Sequence, residues 1–171
     1  MILGMSLSVF TLVHIAISLV GLAAGFGVLF GFLGSRDSPA WTKTFLAFTI
    51  LTSATGYLFP FGKLLPSHIV GAVSLATLAI AVAALYVFHL AGAWRWIYVA
   101  SAVAALYLNA FVLVVQTFVK NPALAQIAPT QSEPPFVATQ ALLLVAFVAL
   151  GALAIRRFHP EPTPVARLRP A

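Results

Sequence analysis

The chain has 171 residues, of which nine are basic and three acidic, so charged residues make up 7% against the roughly 25% of a soluble domain. Hydrophobic residues make up 62% and mean hydropathy is +1.07. These figures exclude a water-soluble enzyme and a disordered chain, and despite a formal charge of +6 no nucleic acid partner is expected, because the solvent they imply is a lipid bilayer.

The charges divide the chain into uncharged runs at 1–35, 44–62, 64–94, 96–119 and 134–155, each long enough for the roughly 20 residues that cross a bilayer. The runs lack the polar and apolar alternation of barrel strands, so the expected fold is an all-α integral membrane bundle of five transmembrane helices. The spans are placed at about 7–33, 43–60, 66–91, 94–119 and 135–156. Residues 1–156 then form one transmembrane domain and 157–171, with its prolines, Arg167 and Arg169, a disordered basic cytoplasmic tail.

In the first span His14, Ser18, Gly21 and Gly25 share one side at helical spacing, and Gly27 and Gly31 form a second small-xxx-small pair on another face. These Gly-xxx-Gly faces permit association within the chain or in an oligomer. Residues 1–8 contain no basic residue, so the span is read as a retained helix and not as a cleaved signal peptide. The second span gathers Thr49, Thr52, Ser53 and Gly56, and the third Ser67, Gly71 and Ser74 with His68 alongside. His89 follows His68 by close to six turns and belongs to the opposite membrane surface. Trp94, Arg95, Trp96 and Tyr98 open the fourth span as an interfacial belt. Its inward face continues through Ala102, Ala105, Asn109 and Gln116, the last two an i, i+7 pair on one wall. The connection 120–135, stiffened by Pro122, Pro129, Pro134 and Pro135, is placed outside with Glu133, and it is long enough to cover a pocket. The fifth span offers Gln140.

Five spans put the termini on opposite sides. Arg36, Lys43, Arg95, Arg156, Arg157, Arg167 and Arg169 share one side, and Lys63 and Lys120 the other. The positive-inside rule makes the first side cytoplasmic and the N-terminus external. His14, Ser18, Thr52, Ser53, His68, Gln116 and Gln140 then fall in the outer half and Asn109 near the midplane, which makes a polar pocket open to the outside.

No ionisable Asp, Glu, Lys or Arg is placed deep in a span, which argues against a carboxylate-driven transporter. There is no His-Glu-x-x-His, no Gly-x-Ser-x-Gly and no phosphate-binding loop, and Ser18 one turn from His14 is too common a pairing to mark a protease. The absence of cysteine removes thiolate metal sites and c-type haem attachment. The most concrete expectation is a single b-haem between His14 and His68, two neutral imidazoles on different helices. Gly71 and Gly21 would let a flat macrocycle approach the backbone, and Asn109, Gln116 and Gln140 would complete the cofactor-binding set. Such a module would pass electrons to a quinone or an external redox partner. His14 and His68 with Glu133 could instead hold a non-haem metal. The competing expectation is a non-enzymatic membrane scaffold or accessory subunit whose His, Asn and Gln side chains only join helices.

Residues 107–116, YLNAFVLVVQ, and 128–136, APTQSEPPF, resemble segments of an uncharacterised family of small bacterial multi-spanning inner-membrane proteins. The resemblance covers most spans. It implies a bacterial inner-membrane location and carries no activity.

Overall fold

The computed structural model describes residues 2–60 and 66–160. Among them are six α-helices and no strand: α1 (Leu7–Leu33), α2 (Pro39–Gly56), α3 (Pro66–Val82), α4 (Trp94–Lys120), α5 (Pro122–Ile127) and α6 (Pro134–Arg157). Lys63 and the tail residues Arg167 and Arg169, used above to orient the chain, lie outside the described residues.

The helix ends follow local chemistry. Ser6 caps α1 by accepting from the Val9 N–H at 3.3 Å. Pro39 starts α2 four residues before the expected 43, since a first-turn proline has no intrahelical partner to lose. Pro122, with no N–H, stops α4, and Asn121 accepts from the Ala123 and Leu124 N–H groups to begin α5. The expected open loop at 120–135 thus contains a short helix. α3 passes into a π-helical turn at Ala83–Val87, short of the expected 91. His89, Leu90 and Gly92 then take left-handed backbone angles, and the Phe88 and Trp94 rings stack at 3.7 Å across the turn.

Four helical stretches are long and apolar enough to cross a membrane: Leu7–Leu33, Ser67–Val87, Trp94–Lys120 and Pro134–Arg157. This is the architecture of a multi-pass membrane protein. The expected second span differs in kind. α2 has 18 residues and carries Lys43 with five threonines, so it is less apolar than these four. One face of α2 packs on α1 and α3 and buries Phe45, Leu46 and Thr49, while Lys43, Ala47 and Leu51 stay exposed, and Thr52 and Thr55 donate to the carbonyls of Phe48 and Leu51, one turn back.

α2 runs antiparallel to α1. Going back along α1 from its C-terminal end, Gly31 lies against the Arg36 carbonyl and Ser38, Gly27 against Trp41, Gly25 against Phe45 and Gly21 against Thr49. At Gly25 an added Cβ would stand 2.4 Å from Leu106 and 2.9 Å from the Phe45 ring, so three helices meet there. Both glycine pairs thus pack within the chain, on α2, on α4 or on the turn that leads into α2. α4 is the central helix, packed by α1, α3 and α6, with α2 between α1 and α3, and α6 against α4 and α1. The core is built from Leu29, Phe45, Leu78, Val99 and Leu106.

One end of the bundle holds His14, the end of α2, His68 and α5; the other holds Arg36, Arg95 and Arg157. At this Arg95 end Phe158 is buried against Phe32 and Tyr98, and its carbonyl accepts from Arg95 Nη1 at 2.7 Å. The His159 N–H donates to Ser35 Oγ at 3.0 Å. The segment expected to begin a disordered tail at 157 is thus tied down through His159, while 161–171 lie outside the described residues.

Candidate functional site

The polar residues singled out in the sequence form a series of pairs between helices. Deepest is Ser18 with Asn109: the Ser18 hydroxyl donates to Asn109 Oδ1 at 3.0 Å, and Asn109 Nδ2 donates to the Ser18 carbonyl at 3.5 Å. Asn109 is buried and sits at the centre of the 27-residue α4, so this pair joins α1 to α4 at mid-depth. Ser53 donates to Ser74 at 3.0 Å and joins α2 to α3. Gln140 Nε2 donates to the Phe111 carbonyl at 3.3 Å and joins α6 to α4.

The two histidines lie at the same end of the bundle, each against α2. His14 Nδ1 is 2.8 Å from Thr55 Oγ1. The Thr55 hydroxyl already donates to the Leu51 carbonyl at 2.6 Å, so it accepts from His14, which fixes the Nδ1–H tautomer and leaves a lone pair on Nε2. The Phe59 ring meets His14 edge-on at 5.2 Å. His68 is buried on the other flank of α2: Tyr57 donates to its carbonyl at 2.6 Å, and the two rings lie 5.5 Å apart. Thr55 and Tyr57 are two residues apart, close to 200° around a helix, so they face opposite ways. The end of α2 therefore stands between the imidazoles that a bis-histidine haem would need face to face.

The glycines expected to admit a macrocycle admit side chains of this chain instead. An added Cβ at Gly71 would lie 3.2 Å from the Tyr57 ring, and one at Gly21 3.1 Å from Thr49 Oγ1. Gln116, expected on the inward wall with Asn109, is exposed: the face they share is covered at the level of Ser18 but not two turns further along. Glu133 is not brought to the histidines. Its Oε1 accepts from the Thr130 N–H at 3.1 Å and the Thr130 hydroxyl at 2.8 Å, and its Oε2 from the Ser132 N–H at 3.1 Å. Some desolvation acts to raise its pKa, but these hydrogen bonds outweigh it and hold the carboxyl below the usual glutamate range. Among the described residues no three His, Asp or Glu side chains gather as a metal centre.

Sequence reasoning passed over Thr55, Tyr57 and Phe59, the residues that engage both histidines. Their signal was their place: Gly56 and the proline at position 60 mark the end of α2, and a side chain there reaches two neighbouring helices at once. Two buried oxygens, Thr49 Oγ1 and Gln140 Oε1, have no hydrogen-bond partner among the described residues. Comparisons with known protein families, with characterised proteins and with solved structures each return no match for this chain.

Proposed function

We propose that this protein is a non-enzymatic membrane scaffold or accessory subunit, crossing a bacterial inner membrane five times with its N-terminus outside and its C-terminus in the cytoplasm. The observation that carries the reading is the pairing of polar side chains. Ser18 with Asn109, His14 with Thr55, Ser53 with Ser74, Tyr57 with the His68 carbonyl and Gln140 with the Phe111 carbonyl each engage a neighbouring segment. Interhelical hydrogen bonds of this kind hold helices together where lipid supplies no hydrophobic drive.

The fifth crossing is α2, which follows α1 from Gly31 to His14, about 26 Å at 1.5 Å per residue and close to the hydrocarbon thickness. With five crossings the excess of basic residues at the Arg95 end sets the orientation. A reporter fused after Ala171 is expected to be active only in the cytoplasm, and periplasmic activity would reverse the assignment.

One observation favours a second reading, the lone pair on His14 Nε2 with Nδ1–H held by Thr55, an arrangement that suits an imidazole ligand. In that reading His14 and His68 hold a b-haem for electron transfer with a quinone or an external redox partner, and the end of α2 moves aside to admit it. An absorption spectrum of protein purified from haem-replete cells separates the two. The scaffold reading expects no Soret band. A band lost in both His14→Ala and His68→Ala would replace it with the haem reading.

A further inference from the structure

Between α4 and α6 lies an apolar groove of about 390 Å³. Its α4 wall runs from Ala100 to Tyr107 and its α6 wall from Leu144 to Ile155, and small residues, Ala104, Gly151 and Ala152, leave the space between them. The groove covers one half of the seam only. Tyr107 is 13 residues from either end of α4, about 20 Å at 1.5 Å per residue, and so marks mid-depth. There the Tyr107 ring packs on Phe111 and Phe147, with centroids 6.1 and 5.7 Å away. Beyond it the seam is closed by the Gln140 bond to Phe111 and by the Phe118–Phe136 contact beside α5. Toward the Arg95 end it stays open as far as Ala100 and Ile155.

The length and the charge at the open end identify an occupant. The α6 wall from Leu144 to Ile155 spans about 16 Å and the α4 wall from Ala100 to Tyr107 about 10 Å, neither appreciably longer than the roughly 15 Å of one leaflet of a hydrocarbon core about 30 Å thick. A partner helix would need a seam open through the whole thickness; a fatty acyl chain rooted at one surface needs only this half. One turn beyond Ala152, on the same face of α6, comes Arg156, and one turn before Ala100, on the same face of α4, comes the exposed Trp96. Arg157 and Arg95 are adjacent in sequence to these two, and Arg156 forms no ion pair among the described residues. We infer that the α4–α6 groove is a binding site for one anionic phospholipid, its acyl chain between Ala104 and Ala152 and its phosphate at Arg156.

The test uses the full chain purified in detergent and exchanged into phosphatidylglycerol or phosphatidylcholine, with retained lipid counted by native mass spectrometry. Phosphatidylglycerol is expected to be retained at least fivefold more than phosphatidylcholine. Arg156→Gln is expected to bring that ratio near one, and Ala152→Phe, which fills the groove from an exposed position, to lower retention of both lipids. If Ala152→Phe does not fold, Ala104→Leu on the opposite wall takes its place. Inorganic phosphate and glycerol phosphate are expected not to displace the bound lipid. Equal retention of the two lipids, a preference unchanged by both variants, displacement by free phosphate, or a dimer that Ala152→Phe abolishes would each overturn the assignment.

Discussion

α2 and α6 both pack on the long apolar helices of the bundle, and they do so in opposite ways. α2 is the most polar of the long helices, yet it is held closely: α1 presents four glycines to it or to its neighbours, and it hydrogen-bonds to both α1 and α3. α6 is long and apolar enough to span, yet it makes one side-chain hydrogen bond to α4 and leaves a groove beside it. Apolar character therefore does not measure how firmly a helix is held in lipid. Surrounding lipid is as apolar as leucine, so close approach of backbones and interhelical hydrogen bonds decide the packing.

Glycine replacement gives the sharpest way to break this contrast. Gly25→Ala puts a Cβ into Leu106 and the Phe45 ring and is expected to destabilise the fold by about 1–3 kcal/mol, as overpacking does. Gly151→Ala meets only Val103, at 3.3 Å from Cγ1 and 3.9 Å from Cβ, beside the open groove, and is expected to change stability by less than about 1 kcal/mol, the gain in helix propensity offsetting the close contact. Thermal unfolding in detergent compares the two, and equal losses would remove the distinction between the interfaces.

The central hydrogen bond is expected to have a smaller effect. A double-mutant cycle of Ser18→Ala and Asn109→Ala should give a coupling of about 0.6 kcal/mol, with about 1.7 as the upper end for such bonds in membranes. A coupling of zero would mean that the α1–α4 contact rests on packing alone. Thr49→Val is expected to have the opposite sign. The Thr49 hydroxyl is buried without a partner, so an apolar side chain of similar shape should stabilise the protein by up to about 1 kcal/mol. Destabilisation there would show that the hydroxyl contributes a bond at the α1–α2 interface.

The weakest effect lies outside the bundle, in the turn before α6. The Glu133 carboxyl is held below the usual glutamate range, so its folded pKa lies under its unfolded one. The ordering it gives the Thr130–Ser132 turn is therefore complete above the ordinary glutamate value of about 4.3 and is lost as pH falls through the lower folded value. Protection of the Thr130 and Ser132 amides, taken against their intrinsic exchange rate at each pH, should fall on acidification through that window. Glu133→Gln should lower that protection at neutral pH and make it independent of pH, and an unchanged protection profile would remove the role assigned to the carboxylate.

Much of the helical architecture was legible in the chain because lipid leaves few alternatives. A long uncharged run must satisfy its own backbone, so α1, α4 and α6 fall within a residue or so of their expected places. α2 was less legible: Pro39 moved its start, and its threonines blur the hydropathy that marks a span. Of the candidate site, the inward position of Asn109 followed from helical periodicity; Gln140 and His68 are also buried, but no repeat of spacing placed them there. Gln116, expected on the same wall as Asn109, is exposed, because periodicity gives the direction of a side chain but not where its neighbour ends.

The sequence by itself determined solvent and class, since nine basic and three acidic residues cannot clothe 171 residues in water. Only the tertiary structure decided what each inward residue meets. It set Thr55 and Tyr57 on opposite flanks of α2, so that His14 and His68 each engage α2, and it turned the glycines of α1 toward neighbours in the same chain. The reason is physical: composition and periodicity fix the environment and direction of a side chain, but its partner depends on the rotation and register of a second helix. In lipid that register is set by the glycines and hydroxyls through which the helices touch.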